Sequence, residues 1–152
     1  MTNQTVQDLM TSNPTCCTRQ DSVEVAARKM VECDCGAIPV VEDLHSLRPI
    51  GVITDRDIAC RVVAEGLNPA ACTVKQVMTP EPATLRLDAT IHECAQVMEQ
   101  LKIRRMLITD DRSRLIGIIA QADLARAGKH DPGIEHELAE LVEEVSEPVR
   151  MS

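Results

Sequence analysis

The sequence predicts an α+β fold in which one β-α-β-β-α unit is built twice, with a further helix after the second copy. Three observations carry this expectation. Val6-Gln7-Asp8-Leu9-Met10-Thr11 returns 68 residues later as Val74-Lys75-Gln76-Val77-Met78-Thr79, and Pro14 and Met30 keep that spacing with Pro82 and Met98. The octet Gly51-Val52-Ile53-Thr54-Asp55-Arg56-Asp57-Ile58 has a weakened second copy, Gly117-Ile118-Ile119-Ala120-Gln121-Ala122-Asp123-Leu124. Between these marks, apolar spacing changes from strand-like to helix-like in the same order both times. A repeat of this length is two copies of one supersecondary unit, facing each other across a shared cleft.

The first repeat is placed at residues 6–66. Residues 15–18 form a short strand after Pro14. Asp21 or Ser22 caps a helix whose apolar stripe is Val23, Ala26, Ala27, Met30 and Val31, and Gly36 ends it. Ala37-Ile38-Pro39-Val40-Val41 is a buried strand, residues 42–49 a polar loop, and residues 50–53 the next strand. A helix then runs from Asp55 to about Glu65 and is closed by Gly66. Residues 67–73 form a linker, and the second repeat occupies 74–128. It carries a strand at 83–86, a helix at 90–101, strands at 105–109 and 115–119, and a helix from Gln121 to Ala127. Beyond the break at Asp131-Pro132-Gly133, Ile134, Leu138, Leu141, Val142 and Val145 recur at helical spacing among acidic residues, which predicts an amphipathic helix over 131–147. Docking on the body or on a second subunit is the expected fate of that stripe.

Composition removes several function classes. A net charge of −8 disfavours nucleic acid, whose phosphates need clustered Lys and Arg. The chain has no Phe, Tyr or Trp, so bases cannot stack on aromatic platforms. No apolar run is long enough to span a bilayer, and the start lacks the pattern of a signal peptide, so the expected location is the cytoplasm. Seven Cys at irregular spacing argue against a disulfide framework and for small buried thiols. Cys33-Asp34-Cys35 is the one close pair suited to a soft metal, with no second pair at zinc-finger spacing. None of the four His completes a His-Glu-x-x-His pattern, and no phosphate loop or nucleophile elbow occurs, so no catalytic residue and no metal ligand set is assigned.

The double occurrence of Ala37-Ile38-Pro39-Val40-Val41 and Gly51-x-x-Thr54-x-x-Asp57, with their second-copy counterparts, resembles the CBS domain. The tandem pair resembles a Bateman module, in the form of a stand-alone bacterial CBS-pair protein, over roughly residues 6–127. The resemblance implies a pseudo-twofold pair of repeats that senses an adenine nucleotide (AMP, ADP or ATP) or an adenosyl compound. It also implies a flat homodimer and no catalysis. With no attached effector domain, the signal would pass to another protein or through a change of assembly.

Thr54 and Asp57 have two readings. Thr at a helix start with Asp three residues later is a capping-box pattern, and acidic residues suit the positive end of a helix. An ionised carboxylate is also an acceptor-only group matched to the two vicinal hydroxyls of a ribose. Ala120 lacks a hydroxyl while Asp123 is kept, which favours a second task for the carboxylate. By resemblance, Asp57 and Asp123 hold ribose, and the basic run Lys102-Ile103-Arg104-Arg105 reaches phosphate. Site one would join Thr54 and Asp57 to Thr84, Arg104, Arg105 and Met106; Arg56 and Arg86 are lesser cation candidates. Site two would join Asp123 to Cys17, Thr18, Ala37 and Ile38, lacking the hydroxyl at Ala120 and with Gly36-Ala37 in place of the basic pair, and be empty, weaker or suited to a less charged ligand. Ile38 or Met106 would sit against adenine. The alternatives are a redox or metal sensor built on Cys33 and Cys35, and a ligand-free adaptor acting through the terminal helix.

Overall fold

The computed structural model describes residues 4–128, so the helix expected over 131–147 lies outside the described residues. In chain order the elements are α1 (Val6–Leu9), β1 (Thr11–Ser12), β2 (Cys17–Thr18), α2 (Val23–Cys33), β3 (Ala37–Val41), β4 (Pro49–Thr54) and α3 (Asp55–Ile58). A π-helical turn, Ala59–Val63, continues α3. Then follow α4 (Val74–Val77), β5 (Thr79–Pro80), β6 (Thr84–Arg86), α5 (Ile91–Leu101), β7 (Arg105–Thr109), β8 (Leu115–Ala120) and α6 (Gln121–Gly128). This is the predicted α+β repeat, with one addition: each repeat opens on a one-turn helix and a two-residue strand.

Those opening segments are exchanged. Among the described residues, one compact unit is Asn13–Ala83 with Asp111–Ile116; the other is 4–12, Thr84–Asp110 and 117–128. We call them the first-repeat and second-repeat units. The first has the strand order β2-β3-β4-β5 and the second β6-β7-β8-β1. Thus β5, which opens the second repeat, closes the first-repeat sheet, and β1 closes the second-repeat sheet. The entering helices follow the same rule. Val74 N–H donates to the Asp21 carbonyl at 2.8 Å, and Val6 N–H donates to the Ala89 carbonyl at 2.9 Å.

Local sequence explains most element ends. Ser22 caps α2, its hydroxyl accepting from Val25 N–H at 3.2 Å, and Thr90 caps α5 through Glu93 N–H at 3.0 Å. Gly36 does not end α2. Asp34 takes the left-handed cap at φ 52°, a conformation that short polar side chains tolerate, and Lys102 does the same for α5 at φ 55°. The single helix expected after Thr54 is instead one α turn followed by the π turn. That widening buries Val62 and leaves Val63 exposed. Gly66, at φ 69°, ends it as expected. Val31 leaves the predicted stripe and is 82% exposed, so Val23, Ala26 and Met30 alone carry α2 into the core.

In the first-repeat unit the core is Cys17, Val23, Ala26, Met30, Ile38, Val40, Ile53, Val62, Val74 and Val77. Strand β3 is buried along its whole length because it lies between β2 and β4. Pro39 is tolerated in this inner strand because β2 pairs only with Val40 and Val41. In the second-repeat unit, Val6, Ile91, Cys94, Met98, Met106, Leu107, Ile108, Ile119 and Leu124 are buried. Small aliphatic, Met and Cys side chains therefore fill both interiors, and no aromatic ring is needed to close either.

The repeated glycine has a packing role. A Cβ on Gly51 would stand 2.7 Å from the Met78 sulfur and 2.8 Å from the Thr79 carbonyl oxygen. On Gly117 the three atoms nearest to a Cβ all belong to the Met10 side chain, its sulfur the closest. Glycine is thus what lets the exchanged strand and its Met lie on β4 and on β8.

Two outcomes are expected. Gly51→Ala should lower stability by about 1–3 kcal/mol, and more than Gly117→Ala, because the Thr79 backbone cannot swing aside as a Met side chain can; urea unfolding of both variants checks this. Burial pushes the Cys17 and Cys94 thiols up from 9.0 to about 12. The unfolded chain releases these protons first, so their contribution is intact below pH 9.0 and is lost as pH rises towards about 12. Denaturant midpoints should accordingly fall between pH 8.5 and about 10.5 in wild type, with a shallower fall in Cys94→Ala.

Candidate functional site

The start of α3 is built by the turn from β4. Thr54 is extended and caps the helix: its hydroxyl accepts from Asp57 N–H at 3.0 Å, while Asp57 Oδ2 accepts from Thr54 N–H at 3.0 Å. The expected capping box is therefore present and complete. It uses one carboxylate oxygen. The other, Oδ1, has the Arg61 guanidinium 3.9 Å away, too far for a hydrogen bond and close enough for attraction. Arg61 is itself anchored, donating to the carbonyls of Val77 at 2.8 Å and Met78 at 3.2 Å, so it also caps the end of α4. Asp57 thus has an oriented carboxylate with an oxygen to spare.

The start of α6 is built by the same turn from β8. Asp123 Oδ2 accepts from Ala120 N–H at 2.8 Å. This half of a capping box needs no hydroxyl, so persistence of the carboxylate opposite Ala120 has a local cause that sequence reasoning did not weigh. Asp123 Oδ1 is engaged by Arg126 in a direct ion pair. Asp57 and Asp123 are equally covered, with 13% and 14% of their side chains exposed, so their difference lies in the partner of Oδ1. Nearby, the Gln121 side-chain nitrogen is buried with no hydrogen-bond partner among the described residues.

The expected site residues fall as follows. Cys17, Thr18, Ala37, Ile38, Thr54 and Asp57 belong to the first-repeat unit, and Thr84, Arg104, Arg105, Met106 and Asp123 to the second-repeat unit. Each expected site therefore draws on both. Within the first unit, Ala37 is the direct rung partner of Thr54, although the two were expected in different sites. Cys17 and Thr18 pair with Val40 and Val41, three rungs further along β3. Within the second unit, the Arg104 carbonyl accepts from Gln121 N–H at 2.8 Å, which sets Arg104 beside the helix of Asp123. Thr84 is the rung partner of Leu107 and is exposed, as are Arg104 and Arg105. Cys17, Ile38 and Met106 have no accessible surface, because alternate strand positions point them into the cores. They shape the surface from behind.

Sequence reasoning missed Arg61 and Arg126 as partners of the two carboxylates. Their spacing, four and three residues after Asp57 and Asp123 on a helix, was the available signal. It also missed the state of the close thiol pair. Although a disulfide framework is absent, Cys33 and Cys35 are joined to each other, and Cys16, Cys17, Cys60, Cys72 and Cys94 are free. Among the described residues no three His, Cys, Asp or Glu side chains cluster as a metal site requires. No described helix is long and apolar enough to cross a membrane.

The CBS domain signature matches the chain twice, over residues 6–63 and 74–130. Hypoxic response protein 1 of Mycobacterium tuberculosis is 32% identical over 97% of this chain and 98% of its own length. A crystal structure of Hypoxic Response Protein I with two coordinated zinc ions superposes with a TM-score of 0.72 at 34% identity, covering 81% of this chain and 98% of that one. A crystal structure of CBSX2 in complex with AMP gives 0.70 at 26% identity over 83% and 96%. The CBS domain pair of MJ0100, in complex with 5′-methylthioadenosine and S-adenosyl-L-methionine, gives 0.71 at 26% identity over 82% and 98%.

The two helix starts make opposite cap substitutions informative. Thr54→Ala should lower stability by about 1 kcal/mol, whereas Ala120→Thr should raise it by roughly 0.5–1 kcal/mol by completing the second box. Chemical denaturation of the two single variants reads both signs.

Proposed function

The chain belongs to the CBS domain family, and on that premise we propose that it is a non-catalytic regulatory module that binds an adenine nucleotide or adenosyl compound at the Thr54–Asp57 start of α3. The observation that carries this is the half-used carboxylate of Asp57. A hydroxyl and a carboxylate stand side by side, the carboxylate is held by a backbone N–H, and its second oxygen accepts no hydrogen bond, with Arg61 3.9 Å away. A ribose offers two adjacent O–H donors to such a group, and charge-assisted bonds of this kind are worth roughly 1.5–3 kcal/mol each. That CBSX2 binds AMP and the MJ0100 pair binds two adenosyl compounds supports the ligand class.

The cations proposed for phosphate are Arg104 and Arg105, both exposed. Asp123 is proposed as the weaker ribose acceptor, because a ligand there must displace Arg126 as well as water. Backbone and small aliphatic groups would flank the adenine; in the first-repeat unit Thr18 is half-buried, and Ala37 and Ile38 are buried beneath. Regulation requires that the ligand favour one conformation or assembly over another, since equal affinity for both shifts nothing. The receiver of that shift is proposed to be a second copy of the chain or an effector protein in the cytoplasm.

The first measurement is an ultraviolet spectrum of the purified protein before and after denaturation and filtration. With no Phe, Tyr or Trp, the chain is nearly transparent where adenine absorbs, and a carried-through nucleotide should leave with the filtrate. Calorimetry should then show Asp57→Asn weakening AMP binding by about tenfold or more, against a smaller effect of Asp123→Asn. Equal, small effects would return both carboxylates to capping alone and overturn the proposal.

A further inference from the structure

We infer that Cys33 and Cys35 form a reversible dithiol–disulfide pair, and that its oxidation locks the turn which holds the first residue of α3. Four observations support this. Cys33 is the exposed last residue of α2, Cys35 is half-buried, and their Cα atoms lie 5.4 Å apart. The bond spans one intervening residue. A disulfide stabilises chiefly by restricting the unfolded chain, more so for longer loops, so this one is a poor staple.

The second repeat supplies an internal control. Leu101-Lys102-Ile103-Arg104 makes the same turn without sulfur. Lys102 is left-handed like Asp34, Ile103 N–H donates to Met98 O at 3.1 Å as Cys35 N–H does to Met30 O at 3.0 Å, and Gln121 N–H reaches Arg104 O at 2.8 Å as Asp55 N–H reaches Gly36 O at 2.9 Å. The backbone adopts this shape unaided, so the reduced protein folds, and the sulfur pair has a task other than shaping the turn.

Position gives that task. The bonded pair is one residue from Gly36, whose carbonyl accepts the Asp55 N–H, and two from Ala37, the rung partner of Thr54. Locking residues 33–35 therefore restrains the start of α3. An open recess of about 510 Å³, lined by Met30, Val31, Asp34, Cys35, Gly36 and Asp55, admits a small oxidant. The carboxylates of Asp34 and Asp55 there favour a neutral oxidant over an anionic one. With a neutral organic disulfide the exchange balances as two protein thiols plus RSSR giving one protein disulfide plus two RSH. The pair loses two electrons, and both protons leave on the released thiols. Cys17 and Cys94 are buried and compete poorly, whereas Cys60 is exposed, so its modification is mapped beside that of the pair.

Any bearing on ligand affinity rests on the function proposed above, so the test has separate readouts. The full chain is equilibrated in graded mixtures of 2-mercaptoethanol and 2-hydroxyethyl disulfide, quenched with acid, alkylated and mapped by mass spectrometry. The pair should convert reversibly. Hydrogen exchange of the Asp55 amide should slow about threefold or more on oxidation in wild type and stay unchanged in the folded Cys33→Ser/Cys35→Ser variant. A pair that stays reduced in the most oxidising mixture overturns the inference, as does an Asp55 amide indifferent to the disulfide. AMP calorimetry on both forms separates the two readings. If neither form binds AMP while the Asp55 shift persists, the switch stands and the nucleotide reading falls. If AMP binds without any Asp55 shift, the switch falls.

Discussion

The architecture depends on a contact that only glycine permits. Gly51 and Gly117 leave room for Met78 and Met10, and with them for the strands β5 and β1 that close the two sheets. Each closing strand comes from the opposite repeat, so neither repeat completes its own sheet. Edge strands carry unpaired backbone groups that must be covered, and here the cover is borrowed. The same exchange brings α4 against α2 and ties Val74 to Asp21, so helix packing and sheet closure are set together. Glycine at this rung also precedes the capping threonine by three residues. The rung that admits the Met therefore fixes where β4 stops and where α3 begins.

At that junction one carboxylate caps a helix and, in the proposed function, also meets the ligand. The capping box orients Asp57 by occupying one oxygen, and a fixed group loses little freedom when it binds something with the other. Capping and the proposed recognition are therefore compatible explanations. The first would make the second inexpensive in entropy. In the second repeat the carboxylate is also oriented, yet Arg126 takes the remaining oxygen. The hydroxyl missing at Ala120 is a smaller difference than this ion pair.

Much of this was legible in the sequence. The 68-residue offset, the alternation of strand and helix spacing, and the Thr54–Asp57 box follow from side-chain periodicity and cap chemistry, which are local. What was not legible is non-local or conformationally degenerate. Strand exchange leaves no mark in the order of motifs, because β5 could close either sheet with the same residues. Glycine being the usual choice for a left-handed cap, the sequence points to Gly36, whereas Asp34, two residues earlier, takes it. The π turn carries Arg61, which donates to the Val77 carbonyl of α4, a partner sixteen residues away that local spacing does not reveal. Burial of Cys17, Ile38 and Met106 likewise depends on which strand lies beside them.

Two repeats that share a backbone turn act as controls for each other. Where residues differ but the turn does not, the difference cannot be a requirement of folding. By this criterion, capping does not demand Thr54, since Ala120 occupies the matching position, and the turn does not demand Gly36, Cys33 or Cys35, since Arg104, Leu101 and Ile103 replace them. All four differences lie at or next to the start of α3. Shared features such as Gly51 and Gly117 belong to the scaffold; unshared ones gathered at one helix start belong to what the first repeat does and the second does not. A hydroxyl and a carboxylate oxygen without a hydrogen bond at that helix start, with the Cys33–Cys35 pair in the turn hydrogen-bonded to it, make that end of the first-repeat unit the place to which the proposed function and the proposed switch both point.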